Sequence, residues 1–430
     1  MSKKILRKIL RSIAVKILRR YQPKVVGITG SIGKTSVKEA VYLVLKKRYN
    51  CRCNRKNYNN EIGVPLTVFG CDSGNKNPFG WLKIIYVGLN LAYGRKVKYP
   101  KVLILELGAD RPGDIDYLVK ITQPLVGVVT AVGPVHLEFF NKIEHIAYEK
   151  SQLIRNLPSD GLAVLNIDDD LVVPMREKTK ARSIRFGFGE KAEIRAHDIV
   201  LSQGPIGKEE PVPCGLNFKV SYGGSTFPVF VPRIIAKHQI YPILASIAVG
   251  NFFDINMIDI VEELKQFKTP PGRMSLVPGI KQTIIIDDTY NSSPTAAKAA
   301  LEVLNNLKIG GRRYAALGDM AELGTYTKQG HEEVGSKAAE CCDYIITVGV
   351  KAKMIAQAAK DRGYNPDHII CFDNSKVAGR WLQNRIKTND AILVKGSQVV
   401  RMEKIVKELM AEPARAQELL IRQDQTWQKR

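Results

Sequence analysis

Gly27-Ile28-Thr29-Gly30-Ser31-Ile32-Gly33-Lys34-Thr35-Ser36 reads as a phosphate-gripping loop. The apolar run ending at Val25-Val26 predicts a short strand before it, and the spacing over 37–46 predicts a helix after it. Phosphate binds where a strand hands over to a helix N-terminus, because backbone N–H groups point outward there and the helix dipole favours negative charge. The N–H groups of Gly30, Ile32 and Gly33, the ammonium of Lys34 and the hydroxyl of Thr35 suit a nucleoside triphosphate carrying Mg²⁺. Ser31 and Ser36 complete the stretch. The commonest version of this loop has glycine where this chain has Ile28; here the glycines fall at 27, 30 and 33. A plain glycine turn is the competing reading, and it requires strand, Lys-Thr and helix to coincide by chance.

Working outward, the runs 102–107, 126–132 and 162–166 are continuously apolar, as strands covered on both faces of a parallel sheet must be. Residues 185–233 change to alternating apolar and polar residues with Gly and Pro, predicting a small β excursion. The stretch 240–252 then reads as helix, and Pro270-Pro271-Gly272 as a hinge. Beyond it, apolar strands at 283–286, 314–317, 344–348, 368–372 and 391–394 alternate with helical segments. The expected fold class is therefore α/β. A P-loop central ATPase domain with a parallel sheet spans 23–272, and a Rossmann-like, doubly wound C-terminal domain spans 273–430. The second domain lacks G-x-G-x-x-G after its first strand, which argues against a nicotinamide or flavin site.

The 430 residues carry 65 Lys and Arg against 42 Asp and Glu, a formal charge of +23 that favours anionic partners. Residues 1–22 concentrate part of it. Ile5, Leu6, Ile9, Leu10, Ile13 and Ile17 form a stripe among Lys3, Lys4, Arg7, Lys8, Arg11, Lys16, Arg19 and Arg20, a basic amphipathic helix. Such a helix either lies on a membrane surface or packs its stripe on its own domain. The segment 81–93 is aromatic-rich, too short to span a bilayer, and followed by a basic run. No stretch reaches the roughly 20 apolar residues a span requires, no cleaved signal opens the chain, and the seven cysteines have no metal-ligand spacing. A cytoplasmic protein with reduced thiols is expected.

The strand at 102–105 runs into Glu106-Leu107-Gly108-Ala109-Asp110, which puts the Glu106 carboxylate at the strand's carboxyl edge, where a Mg²⁺ ligand is needed. The next strand leads to Gly133-Pro134-Val135-His136-Leu137-Glu138. His136 alone is an ordinary hydrogen-bonded histidine; beside Thr35 and Glu106 it becomes a metal-ligand candidate.

The order of these motifs resembles the Mur ligase family, and within it the branch that adds D-alanyl-D-alanine to the UDP-N-acetylmuramoyl tripeptide. The resemblance also rests on Asn59-Asn60-Glu61-Ile62-Gly63-Val64-Pro65-Leu66-Thr67, Pro271-Gly272-Arg273, Asp287-Asp288-Thr289-Tyr290-Asn291, Leu317-Gly318-Asp319-Met320-Ala321-Glu322-Leu323-Gly324 and Val394-Lys395-Gly396-Ser397. It implies an ATP-dependent carboxylate–amine ligase working through an acyl phosphate, with ATP and Mg²⁺ as cofactors. It further implies that Thr35, Glu106 and His136 serve metal ions and that Lys150, ordinarily a solvated helix residue, is carbamylated beside the second one. Arg273, Asp288, Asn291 and His238 would approach the nucleotide. Asn60, Asp319, Glu322, His331 and Lys395 would approach the substrates, and Lys34, Lys150, His136 and Glu106 would carry the chemistry.

The family usually opens with a separate UDP-binding domain, whereas only the basic helix precedes the loop here. A small-molecule or lipid-linked muramyl-peptide-like acceptor is then expected, with a short-peptide amine, and with peripheral membrane contact through residues 1–20. The family's two amides near adenine are replaced in Lys237-His238-Gln239-Ile240-Tyr241-Pro242. Alternatives are a ligase for another acid (folate polyglutamate, a pseudomurein-like or cyanophycin-like peptide) and, from a different class, a nucleic-acid-binding NTPase. The dispersed charge argues against nucleic acid. A monomer is expected.

Overall fold

The computed structural model describes residues 3–54, 58–75, 77–133, 137–206, 210–424 and 427. Two compact units emerge, one of 1–199, 218–229 and 238–267, the other of 200–217, 230–237 and 268–430.

The first unit opens with helix α1 (Lys3–Tyr21) and strand β1 (Lys24–Thr29), which leads into α2 (Lys34–Leu45). There follow β2 (Cys51–Cys53), α3 (Gly63–Phe69), α4 (Pro78–Tyr93), β3 (Val102–Glu106), α5 (Asp114–Thr122), β4 (Val126–Val129), α6 (Leu137–Phe140), α7 (Ile143–Arg155), β5 (Leu162–Asn166) and β6 (Arg182–Gly187). Strands β7 (Ile194–Ile206), β8 (Glu210–Tyr222) and β9 (Ser225–Pro232) form the β excursion, and α8 (Ile240–Phe252) and α9 (Met257–Leu264) come after it. The sheet order is β2-β3-β1-β4-β5-β6-β7-β8-β9. Parallel pairing of β1 with both β3 and β4 puts the end of β1 between two neighbours. Every residue of β3, β4 and β5 is buried, which is why their sequences are continuously apolar. Strand β2 escaped the sequence pattern because three half-buried residues give no periodicity.

Helix α1 forms as its periodicity predicts, but its buried face differs from the predicted stripe. Leu6, Leu10, Ile13, Ala14, Ile17 and Leu18 enter the core with α3, α4 and β3, while Ile5 is 53% exposed. Each larger side chain buried there contributes about 1.5–3 kcal/mol of transfer free energy. The apolar face of α1 is therefore core, which removes the face an interfacial anchor formed by residues 1–20 would use. Among the described residues no helix is long and apolar enough to cross a membrane.

The second unit contains β10 (Ser275–Pro278), β11 (Ile284–Asp288), α10 (Pro294–Asn306), β12 (Arg313–Gly318), α11 (Thr327–Cys341), β13 (Tyr344–Val348), α12 (Lys353–Asp361), β14 (Ile369–Phe372), α13 (Ser375–Arg385), β15 (Ala391–Lys395), α14 (Glu403–Leu409) and α15 (Ala416–Leu419). Its sheet runs β10-β11-β15-β12-β13-β14. The five predicted strands are all present and mutually parallel. The sixth, β10, pairs antiparallel with β11. It was missed because it is short, ends in Pro278 and buries only Val277.

Candidate active site

In the first unit the site gathers at the carboxyl ends of β1, β3 and β4. Parallel register sets Ile28 opposite Glu106, so the turn after β1 and the end of β3 leave the sheet side by side. Gly30, with φ at 146°, bends the chain against β4, and a methyl group there would collide with Thr130 Oγ1. Gly33, with φ at 85°, makes the left-handed step into α2. Ser31 ties the loop to its neighbour: its N–H donates to Ala131 O at 2.6 Å and its hydroxyl to Gly133 O at 3.1 Å. The Lys34 ammonium folds back over the loop, 2.7 Å from Gly30 O and 3.4 Å from Ser31 O. Thr35 and Ser36 lie in the first turn of α2.

The Thr35 hydroxyl donates to Glu106 Oε2 at 2.9 Å, and Asn59 Nδ2 donates to Glu106 Oε1 at 3.2 Å. Asn54 Oδ1 accepts the Glu106 N–H at 2.5 Å, and the buried Lys38 ammonium donates to Asn54 O at 2.8 Å. Glu106 is thus a buried carboxylate with both oxygens aimed, one of them paired to a threonine hydroxyl. A hydroxyl and a carboxylate side by side are hard oxygen donors, the chemistry Mg²⁺ takes from proteins while retaining waters. Among the described residues no three His, Cys, Asp or Glu cluster as a metal cage. His136 lies outside the described residues.

Lys150 sits on α7 and is only 3% exposed. Burial drives its pKa down to about 7, and the positive charge of Lys34 pushes the same way. Glu149 and Asp110 oppose the shift. Glu149 is held by the N–H groups of Gly113 (2.8 Å) and Ile115 (2.7 Å), so the start of α5 is fixed to α7. Asn60, predicted to face substrate, caps α3 through the N–H groups of Ile62 and Gly63. Its neighbour Asn59 is the amide that reaches the Glu106 carboxylate. His238 is exposed, within a short turn over Lys237–Gln239. Tyr241, standing among the replaced amides, donates to Asp168 Oδ2 at 3.1 Å and lies 4.8 Å from the ring of Phe188.

The second unit builds its own cluster at the ends of β11, β15 and β12. Register pairs Asp288 with Lys395, and their side chains meet at 2.6 Å. The Lys395 ammonium also donates to Asn291 O at 3.0 Å. Asp288 accepts the Met274 N–H at 3.1 Å, and the guanidinium of Arg273 lies 4.0 Å from the ring centroid of Tyr290. Arg422 clamps the same turn from the far end of the chain, donating to Thr289 O at 3.1 Å and Tyr290 O at 2.6 Å. Arg273, Asp288, Asn291 and Lys395 are therefore brought together. Asp287, absent from the predicted set, is fully buried; burial raises its carboxyl to about 7 while Thr289 and the Gly272 N–H hold the oxygens.

Asp319, Glu322 and His331 surround a neighbouring loop. The Asp319 carboxylate accepts the Ala352 N–H at 2.7 Å. His331 is wholly buried: Nδ1 lies 2.6 Å from Thr327 O, so it carries the proton, and Nε2 accepts the Met320 N–H at 3.1 Å. Burial lowers the pKa of this imidazole. Its observed contacts position the loop. Glu322 is exposed with φ at 61°. Ser397 joins this loop to the Lys395 turn, accepting the Ala321 N–H at 2.9 Å. Asn54, Asn59, Thr130, Asp287 and Ser397 escaped sequence reasoning. Asn59, Asp287 and Ser397 lay inside quoted motifs and Thr130 inside the apolar run 126–132; Asn54 had only its position beside a strand end to mark it.

Comparison with known proteins agrees in both units. Residues 85–250 match the Mur ligase middle domain, and 272–398 the Mur ligase glutamate ligase domain. The chain is 28% identical over 405 residues to the UDP-N-acetylmuramoyl-tripeptide--D-alanyl-D-alanine ligase of Bacillus subtilis, spanning 94% of this chain and 79% of that protein. MurF from Acinetobacter baumannii superposes with a TM-score of 0.76 at 27% identity, covering 94% of this chain and 80% of that one. The MurF ligase of Thermotoga maritima, solved in complex with ADP, gives 0.75 at 28% identity, with 94% and 83% covered.

Proposed function

The chain belongs to the Mur ligase family, and on that premise we propose that it is an ATP-dependent ligase joining D-alanyl-D-alanine, or a similar short peptide, to the carboxylate of a muramyl-peptide-like acceptor. The observation that carries this reading is the convergence of Lys34, the Thr35–Glu106 pair and the buried Lys150 at one sheet edge. In the balanced reaction the acceptor carboxylate takes the γ-phosphoryl group and ADP leaves. The amine then attacks the acyl carbon, and phosphate and a proton depart as the amide forms.

The N–H groups around Gly30 and Gly33 and the Lys34 ammonium bind phosphate oxygens and spread their charge, which is most of what phosphoryl transfer asks of a protein. Thr35 and Glu106 would hold Mg²⁺, which when bound neutralises phosphate charge. A lysine whose pKa lies near 7 is about half free amine at neutral pH, where an ordinary lysine is almost wholly ammonium, and the free amine is the form that adds to CO₂. Lys150 is thus chemically prepared to become a carbamate: the neutral amine adds to CO₂, a C–N bond forms, one proton is released, and a neutral buried group becomes an anion that offsets the Lys34 charge. In the second unit, Asp288, Asn291 and Arg273 would meet the nucleotide and the Lys395 turn the reacting end, with His331 and Asp319 supporting the amine-side loop.

The test is phosphate release from Mg-ATP with UDP-linked, lipid-linked or free muramyl peptides, each with and without D-alanyl-D-alanine. Release that needs both an acceptor and the dipeptide is expected. Release equal in all mixtures overturns the assignment.

A further inference from the structure

Helix α4 breaks the ordinary rule for a surface helix. Its inward face centres on Ile84, Gly88 and Ala92, which are buried, with Trp81, Ile85 and Leu91 half-buried against the same core, and a methyl group on Gly88 would press on Ile13 Cγ2 at 2.9 Å and Phe69 Cε2 at 3.0 Å. A water-facing stripe should then be polar. Instead Phe79, Leu82, Tyr86, Leu89 and Tyr93 follow one another at helical spacing, each between 42% and 77% exposed. At ~100° per residue these five fall within roughly a quarter of the circumference, and at ~1.5 Å per residue they run for about 20 Å.

Asp72 stands in the connection before α4, but the helices and the connection that carry and follow the stripe are basic throughout. Neither α1, α4 nor the connection 94–101 contains an acidic residue, while α1 has eight basic residues and 78–101 has five: Lys83, Arg95, Lys96, Lys98 and Lys101. Two basic side chains of α1 reach the stripe's end. The Lys16 ammonium lies 4.8 Å from the ring centroid of Tyr93, and Arg20 donates to Leu91 O at 3.2 Å and Gly94 O at 2.6 Å, closing the C-terminus of α4. Val97, in the basic connection, is itself 52% exposed.

From this we infer that the exposed face of α4, with the basic connection 94–101 and the Lys16–Arg20 end of α1, docks on an anionic lipid surface. An apolar stripe flanked by Lys and Arg, with tyrosines along its edge, matches the boundary between headgroups and acyl chains. A second copy of the chain is the poorer occupant, since a two-fold contact through this face would set like charges against one another. Of the two segments the sequence singled out, residues 1–20 and 81–93, the docking element is thus the second, on α4. The inference does not depend on which acceptor the ligase uses.

The experiment is co-sedimentation of the full chain with vesicles of phosphatidylcholine alone, or mixed equally with phosphatidylglycerol, at low and high salt. The wild type should bind the mixed vesicles, weaken with salt and ignore the neutral ones. The triple variant Leu82→Ser, Tyr86→Ser, Leu89→Ser should bind about tenfold more weakly or worse, with unchanged thermal midpoint and ATP hydrolysis in solution. Lys96→Glu with Lys98→Glu should weaken binding on its own. Failure of the wild type to bind mixed vesicles overturns the inference, as does undiminished binding by the triple variant. So does a wild-type dimer in sedimentation velocity that the triple variant converts to monomer.

Discussion

The turn after β1 and the turn after β11 occupy equivalent places, each at the carboxyl end of a parallel strand, yet they are built differently. The first takes its bends from its own sequence, two glycines with positive φ and a lysine that bonds the carbonyls of its own loop, while Ser31 and Thr130 hold it to the end of β4 through neutral hydrogen bonds that do not involve the cation. The second is made by distant parts of the chain. Lys395 crosses 107 residues to reach Asp288, and Arg422 crosses more than 130 to hold Thr289 and Tyr290. A loop whose long-range ties are neutral hydrogen bonds can lose its key cation and keep its shape; one whose long-range ties are the cations themselves cannot.

Substitutions at the two lysines test that contrast most strongly. Lys34→Ala should lower ATP-dependent ligation by about a thousandfold, on the order of 4 kcal/mol of transition-state stabilisation, with the thermal midpoint unchanged. Retained turnover would remove the phosphate loop from the mechanism. Lys395→Met should do the reverse first, destabilising the second unit by about 3 kcal/mol because it strands the Asp288 carboxylate away from water. Denaturant unfolding reads this, and an unshifted midpoint would show that the pair is not structural.

Lys150 sharpens the comparison through pH. Its pKa is lowered to about 7 in the fold and lies near 10.5 in the unfolded chain, so between those values the unfolded state holds the extra proton. Stability should therefore rise with pH across that window by roughly 1.4 kcal/mol per unit from this group. Lys150→Met should remove that slope and abolish ligation; parallel wild-type and variant stability curves from pH 8 to 10 would contradict the burial of a neutral amine. The smallest effect concerns His331. Its pKa is lowered by burial, so stability contributed by the neutral ring is present above the unfolded pKa of 6.5 and declines as pH falls below it. His331→Gln should flatten that decline by a few tenths of a kcal/mol, measured as urea midpoints at pH 7 and 5.5.

How much could be read in advance follows the same division. Gly30 to Thr35 were legible because contiguous residues carry the whole device, and Glu106 because an apolar run marked the strand it terminates. Asn54, which fixes the Glu106 backbone, gave no signal, since its partner stands 52 residues away. The Asp288–Lys395 pair was legible as two separate motifs and illegible as a contact, because strand order, with β15 inserted beside β11, is decided by packing of the whole sheet. The helix at the N-terminus shows the limit of periodicity. It announced a face needing cover, while Ala14 and Leu18, outside the predicted stripe, proved part of that face.

The grip of Arg422 on the turn after β11 has a consequence for how the chain is made. Every recognisable motif up to Ser397 is synthesised before Arg422, and until that residue is added the turn bearing Asp288 and Asn291 lacks the guanidinium that holds two of its carbonyls. A chain terminated early by a nonsense codon, or clipped at its tail by a protease, would carry the full set of signatures without the ordered turn. Possession of the motifs and possession of the ordered turn are thus separate properties, the second depending on a guanidinium more than 130 residues downstream of the carbonyls it holds.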